Sequence, residues 1–172
     1  MGSEQKEKET EIDKYLILKE ILSDIEECGH LERASDKISY LASCVEKHTT
    51  PGKHKVNFLK IMDIIKESID LTKSLFIDLK NLPAASYINK DISEMAIRSL
   101  MRVKQLDDIE IFQDFIFVQQ DRMREMFYDK QNSYTIEERL ALKKSHDFSM
   151  NLHVFFDKQK SIAAIKELYL SS

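Results

Sequence analysis

The stretch at residues 58–82, FLKIMDIIKESIDLTKSLFIDLKNL, decides the fold. It contains no glycine or proline, it follows Pro51-Gly52, and Pro83 comes directly after it. Two adjacent apolar stripes cover about half of its helix circumference, wider than the ~100° that one core contact needs. The sequence therefore predicts a long central helix over about residues 54–82, with neighbours on two sides. The stripes are Phe58, Ile61, Met62, Ile65, Ile69, Phe76 and Leu79, and beside them Ile64, Leu71, Leu75 and Leu82.

Composition indicates that the rest of the chain is helical too. The chain has 172 residues, of which 42% are hydrophobic and 33% charged, with only three glycines and two prolines for turns. No segment alternates polar and apolar residues over the length of a strand. We therefore predict an all-α helical bundle of five to seven helices. It forms a single domain over residues 11–172, behind a flexible charged tail at residues 1–10.

Local signals place the other helix ends. Gly29 has the position of a left-handed residue that ends a helix, and capping boxes begin at Asp91 and Thr135. The apolar spacing loses its phase near residues 145–147, so the last helical region is either one bent helix or two helices. The expected helices cover about residues 11–28, 31–48, 54–82, 91–105, 108–128 and 135–170.

Charge and hydropathy exclude several classes of protein. The net charge is −4 with the two signs interspersed, which argues against a dedicated nucleic-acid-binding protein. No apolar run approaches the ~20 residues that a membrane span needs. The first residues lack the apolar core of a secretory signal, and two cysteines do not make a disulfide scaffold, so we expect a cytoplasmic protein.

The sequence offers no metal or cofactor site. Cys28, His30, Cys44 and His48 have the residue types of a zinc site, but a helical hairpin that turns near residue 29 would separate the two cysteines by ~20 Å. Glycine-rich phosphate loops and nucleophile elbows are absent. We therefore expect no metal and no cofactor, and we do not expect an enzyme whose active site lies within a single chain.

Arg139 and His146 are one pair with a possible catalytic role. They are seven residues apart, so both would project from one helix face about 10 Å apart. This Arg-x6-His spacing resembles the Arg-x4–6-His motif of HEPN-type ribonucleases, all-helical domains in which two subunits bring their motifs together over RNA. The resemblance implies that His146 is the acid–base group and that Arg139 holds a phosphate. It covers these two residues and the fold class.

A basic cluster precedes the central helix. Lys53, His54 and Lys55 lie where the first turn of that helix would have free backbone N–H groups, which favour an anion. The sequence therefore predicts an anion-binding site at these three residues.

The second half of the chain carries the candidate surface for a partner. Aromatic and methionine side chains there exceed what one core stripe needs, so they are core, an interface or a ligand pocket. We expect a non-catalytic adaptor or regulatory protein that binds another protein or dimerises through this half. The ribonuclease and a small-molecule sensor with a pocket inside the bundle are the alternatives. The candidate contact residues are Phe117, Met123, Met126, Phe127, Phe148, Phe155 and Phe156.

Overall fold

The structure, a computed structural model, describes residues 14–83, 90–102, 106–129 and 134–170. Within these ranges all regular structure is helical and there is no strand, which confirms the all-α prediction. Six α-helices and one short 3₁₀ turn, Cys28–His30, are described. The α-helices are α1 (described from residue 14 to residue 24), α2 (Leu31–His48), α3 (Lys53–Asn81), α4 (Lys90–Met101), α5 (Leu106–Tyr128) and α6 (Ile136–Leu170).

Helix α3 is the predicted long central helix, with each end within one residue of the expected position. Its 29 residues extend about 43 Å at ~1.5 Å per residue. The fully buried stripe is narrower than predicted, because Ile61, Ile64, Leu71 and Phe76 are only half-buried. The buried hydrophobic residues of this segment are Phe58, Met62, Ile65, Ile69, Leu75, Leu79 and Leu82.

The predicted ends of α1 and α4 are wrong, since α4 ends at Met101 rather than at about residue 105. Helix α1 ends at residue 24 rather than 28, because the N–H groups of Glu26 and Glu27 bond to carbonyls only three residues back and tighten the chain into turns. Gly29 lies inside the 3₁₀ turn and does not have a positive φ, so it is not a left-handed cap. Asp91 lies inside α4 rather than at its N-cap, and Glu94 pairs with Arg98 one turn later.

The last helical region is one continuous helix, α6. It begins directly after Thr135, whose Oγ1 accepts the N–H of Glu138 at 3.1 Å, as the capping box predicts. Ser145 and Ser149 lie where the apolar spacing loses its phase. Their hydroxyls donate to carbonyls of the same helix at 2.8 and 2.7 Å, so these polar residues are satisfied without a break in the helix.

The chain divides into two compact units. The first unit consists of Met1–Asp70 and Ser161–Ser172, and the second of Leu71–Lys160. Helices α3 and α6 therefore contribute residues to both units. The single domain over residues 11–172 stays a prediction, and the predicted tail at residues 1–10 lies outside the described residues.

Aromatic and ionic contacts close the first unit. Tyr15 of α1 meets Phe58 of α3 edge-on, with ring centroids 5.9 Å apart, and stacks on Tyr169 of α6 at 6.0 Å. Burial raises the pKa of the Tyr169 hydroxyl, and the nearby Tyr15 raises it further. The Lys166 ammonium, whose side chain is only 2% exposed, lies 2.9 Å from Glu26 Oε1. The end of α6 is thus fixed to the beginning of the chain by a buried ion pair.

Helices α1 and α2 are joined by one lysine. The Lys37 ammonium donates to Asp24 Oδ2 at 2.7 Å and lies 3.5 Å from Glu20. The hydrogen bond to Asp24 raises the pKa of Lys37 above its ordinary value, although burial acts in the opposite direction. These contacts join the two helices that the sequence predicts as a hairpin.

Candidate interaction surface

Helices α5 and α6 of the second unit run antiparallel in a constant register. Gln113 Nε2 lies 3.5 Å from Asp157 Oδ1, the Phe117 and His153 rings are 4.6 Å apart, and Gln120 Nε2 lies 3.4 Å from Met150 Sδ. Steps of four and three residues forward on α5 are matched by steps of four and three backward on α6. This register fixes which side of α6 faces α5.

The opposite sides of α6 in the second unit differ in burial, although both carry several apolar side chains. One side is core, where Leu142, Phe148, Leu152, Phe155 and Phe156 are at most 2% exposed. The other side carries four exposed apolar side chains: Ile136 at 87%, Leu140 at 51%, Met150 at 42% and Val154 at 44%. Because both sides are apolar, the periodicity of the sequence loses its phase in this region.

Two charged residues lie between the exposed apolar pairs. Lys143 and Asp147 are both exposed, and neither forms an ion pair or hydrogen bond with the described part of the chain. At 100° per residue all six side chains fall within about 40° of one line along the helix. We call this set the α6 stripe: Ile136, Leu140, Lys143, Asp147, Met150 and Val154.

Helix α5 extends the exposed apolar surface beside the stripe. Phe117, whose ring rests on His153, is 42% exposed, and the next residue, Val118, is 70% exposed. Met150 is the stripe residue that contacts α5, through Gln120. Exposed apolar side chains grouped along one side of a helix are typical of a site of protein association.

The seven predicted contact residues do not form one surface. Met123, Phe148, Phe155 and Phe156 are at most 3% exposed, so the structure places these four in the core. Phe117 is exposed and Met126 is half-buried, while the side chain of Phe127 lies outside the described residues. The sequence interpretation chose the bulkiest side chains of α6, and those are the ones that fill the interior. It missed the α6 stripe, whose spacing of three and four residues is visible in the sequence.

The predicted anion-binding residues are largely occupied within the first unit. The Lys55 ammonium donates to the Glu46 carbonyl at 2.9 Å and lies 3.7 Å from the Glu46 carboxylate. His54 Nε2 is 3.2 Å from the Lys14 ammonium and 3.4 Å from the Tyr15 hydroxyl. Lys53 is exposed. Lys55 thus binds near the carboxyl end of α2. Anion binding by the three residues stays a prediction.

Arg139 and His146 lie on the same side of α6, as their spacing predicts. Arg139 is exposed, whereas Nε2 of His146 is buried and has no hydrogen-bond partner among the described residues. In this conformation Nε2 is not open to a substrate at the surface of α6. The geometry therefore does not favour the ribonuclease, which stays a prediction.

Three clefts are lined by described residues, and none includes Arg139, His146 or a residue of α5. A cleft of about 350 Å³ lies between α1 and α2 beside Cys44, and one of about 400 Å³ lies along α4. The third, of about 260 Å³, lies between the end of α3 and α6, where Asp78, Lys144 and Asp147 meet. The sensor alternative, which requires a Phe- and Met-lined pocket near α5, stays a prediction.

No protein-family model, curated protein or solved structure matches this chain. Within the described ranges, no group of three or more histidine, cysteine, aspartate or glutamate side chains could hold a metal ion. The described helices also include none that is both long and apolar enough to cross a membrane.

Proposed function

We propose that this protein is a non-catalytic protein-interaction module, and that it binds its partner through the α6 stripe together with Phe117. One observation carries the proposal: four apolar side chains, each more than 40% exposed, lie along one side of a helix whose opposite side is core. Full burial of a fully exposed side chain of this size is worth about 1.5–3 kcal/mol, and a partner would recover the share that corresponds to the area still exposed. A surface helix without a partner usually carries polar residues on this side.

The proposal is supported by where the exposed apolar residues lie, and not by how many there are. Scattered exposed hydrophobic residues are ordinary on a soluble protein. Those of α6 are not scattered, because Ile136 and Leu140 are one turn apart, as are Met150 and Val154. They form two apolar pairs on one line, which is how a helix presents anchor residues to a groove or to another helix.

Photo-crosslinking tests this function directly. A photo-reactive residue in place of Asn151, an exposed residue beside the stripe, should form a covalent adduct with a protein when irradiated in the cell. The matched control is the same residue in place of Lys66, which is exposed on α3 in the first unit. We expect an adduct from position 151 and much less from position 66.

A second variant shows whether the adduct depends on the stripe. Leu140→Glu, combined with the crosslinker at position 151, should abolish the adduct because it puts a charge into the apolar contact. The proposed function is wrong if position 151 gives no protein adduct, or if Leu140→Glu leaves the adduct unchanged.

A further inference from the structure

The α6 stripe has the same spacing when it is read from either end. Its six residues follow one another at steps of four, three, four, three and four, the alternation of a coiled-coil seam. The chemistry is symmetric as well, since an apolar pair stands at each end and a charged pair at the centre. The midpoint of the stripe lies at the level of residue 145, between Lys143 and Asp147. A two-fold axis through the stripe at this level would place each residue opposite a complementary one.

We infer that the partner of this surface is a second copy of the same chain, an inference that rests on the proposed function. The α6 helices of the two copies pack antiparallel, and the two-fold axis crosses the stripe at the level of residue 145. In this register Ile136 faces Val154 of the second copy and Leu140 faces Met150. Lys143 faces Asp147. Each pair occurs twice, as required of an isologous interface with closed two-fold symmetry.

The charged pair at the centre selects this arrangement over the others. In a parallel pair of α6 helices, Lys143 would face Lys143 and Asp147 would face Asp147, which is repulsive. An antiparallel pair shifted by seven residues in one direction would bury Asp147 against Ile136. A shift in the other direction would bury Lys143 against Val154. Of these registers, only the one centred on residue 145 joins apolar with apolar and positive with negative at all six positions. A polar pair in such a seam is known to fix the register of the helices.

The free charges in the isolated chain agree with this assignment. Lys143 and Asp147 are one turn apart on the same helix and could pair with each other, yet no such pair forms among the described residues. Both therefore keep their charge available for a partner. Lys144 of each copy also lies near the axis, and it lines the same cleft as Asp78.

The size of the contact indicates a dimer of modest affinity. The stripe extends about 27 Å along α6, with four apolar and two charged side chains from each copy. Phe117, whose ring rests on His153, borders it and extends the apolar area. A contact built on one helix from each copy is at the lower end of specific interfaces, so we expect association in the micromolar range of concentration.

Charge reversal gives a test that depends on the register itself. Lys143→Asp sets aspartate against aspartate at both central positions, and Asp147→Lys sets lysine against lysine. Each variant alone should bind itself at least about tenfold more weakly than the wild type. An equimolar mixture of the two should associate, because every central pair is then attractive, and the double variant Lys143→Asp/Asp147→Lys should also form a homodimer.

Sedimentation equilibrium of the full chain, over about 5 to 500 µM, measures these outcomes. Lys66→Asp is the matched control, because it makes the same change in net charge away from the stripe and should dimerise like the wild type. Far-ultraviolet circular dichroism should show unchanged helicity for all variants. The inference is overturned if the wild type is monomeric throughout, if the single variants dimerise normally, or if mixing them restores nothing.

The same measurements separate this inference from the proposed function. A monomeric wild type whose position 151 still crosslinks to a different protein would refute the symmetric dimer and leave the interaction module intact. A monomeric wild type with no adduct at all would refute both.

Discussion

At the scale of single residues, the buried charge of Lys166 has the largest consequence for stability. Its ammonium lies 2.9 Å from Glu26 while its own side chain is only 2% exposed. A buried pair of this kind is costly to break, because the remaining charge loses its oppositely charged neighbour in a poorly solvated place. Glu26 retains 24% exposure, so water compensates part of that loss.

We therefore predict that Lys166→Met lowers the free energy of unfolding by about 3 kcal/mol, the lower end of the range for broken buried pairs. Urea denaturation followed by circular dichroism measures this change. Lys66→Met, at an exposed lysine of α3, should change stability by less than about 0.5 kcal/mol. Equal effects of the two substitutions would show that the Glu26–Lys166 pair contributes nothing.

At the scale of the helix, the two neighbours Val154 and Phe155 have opposite environments. Val154 is 44% exposed on the stripe, and Phe155 is 0% exposed in the core. Truncating a large core side chain costs both its transfer free energy and a cavity. Truncating an exposed one changes the stability of the monomer little.

Phe155→Ala should therefore lower the free energy of unfolding by about 3–5 kcal/mol, whereas Val154→Ser should change it by less than about 0.5 kcal/mol. Denaturation at a protein concentration well below micromolar, where the monomer dominates, measures both. Association at higher concentration should be weakened by Val154→Ser. If Val154→Ser destabilised the chain more than Phe155→Ala, the core side of α6 would be the one described here as exposed.

This difference also shows what could and could not be predicted from the sequence. Periodicity predicts α3 to within a residue, since its apolar arc is bounded by polar residues, Pro51-Gly52 and Pro83. Periodicity cannot tell which side of α6 is buried, because Phe155 and Val154 are both apolar. Which of them lies in the core depends on the neighbours that pack against them. The end of α1 was misplaced for a related reason. Successive three-residue hydrogen bonds, rather than Gly29, end the helix there.

At the scale of the whole molecule, dimerisation through α6 links stability to concentration. A partner that binds only the folded chain stabilises the folded chain by mass action. For a 172-residue chain with an ordinary unfolding enthalpy, a tenfold increase in concentration should raise Tm by up to about 2 °C. Differential scanning calorimetry at several concentrations measures this shift. Lys143→Asp should remove the shift, and a wild-type Tm independent of concentration would contradict the link.

The ion pair between Glu26 and Lys166 has a consequence for biosynthesis. The first unit takes its last residues from the far end of α6, after the whole of the second unit has been translated. A ribosome must therefore translate the chain as far as residue 166 before Glu26 can contact Lys166. Closure through such distant contacts delays folding. Until then the N-terminal helices leave exposed the apolar surface that the end of α6 covers in the folded chain, such as the ring of Tyr15.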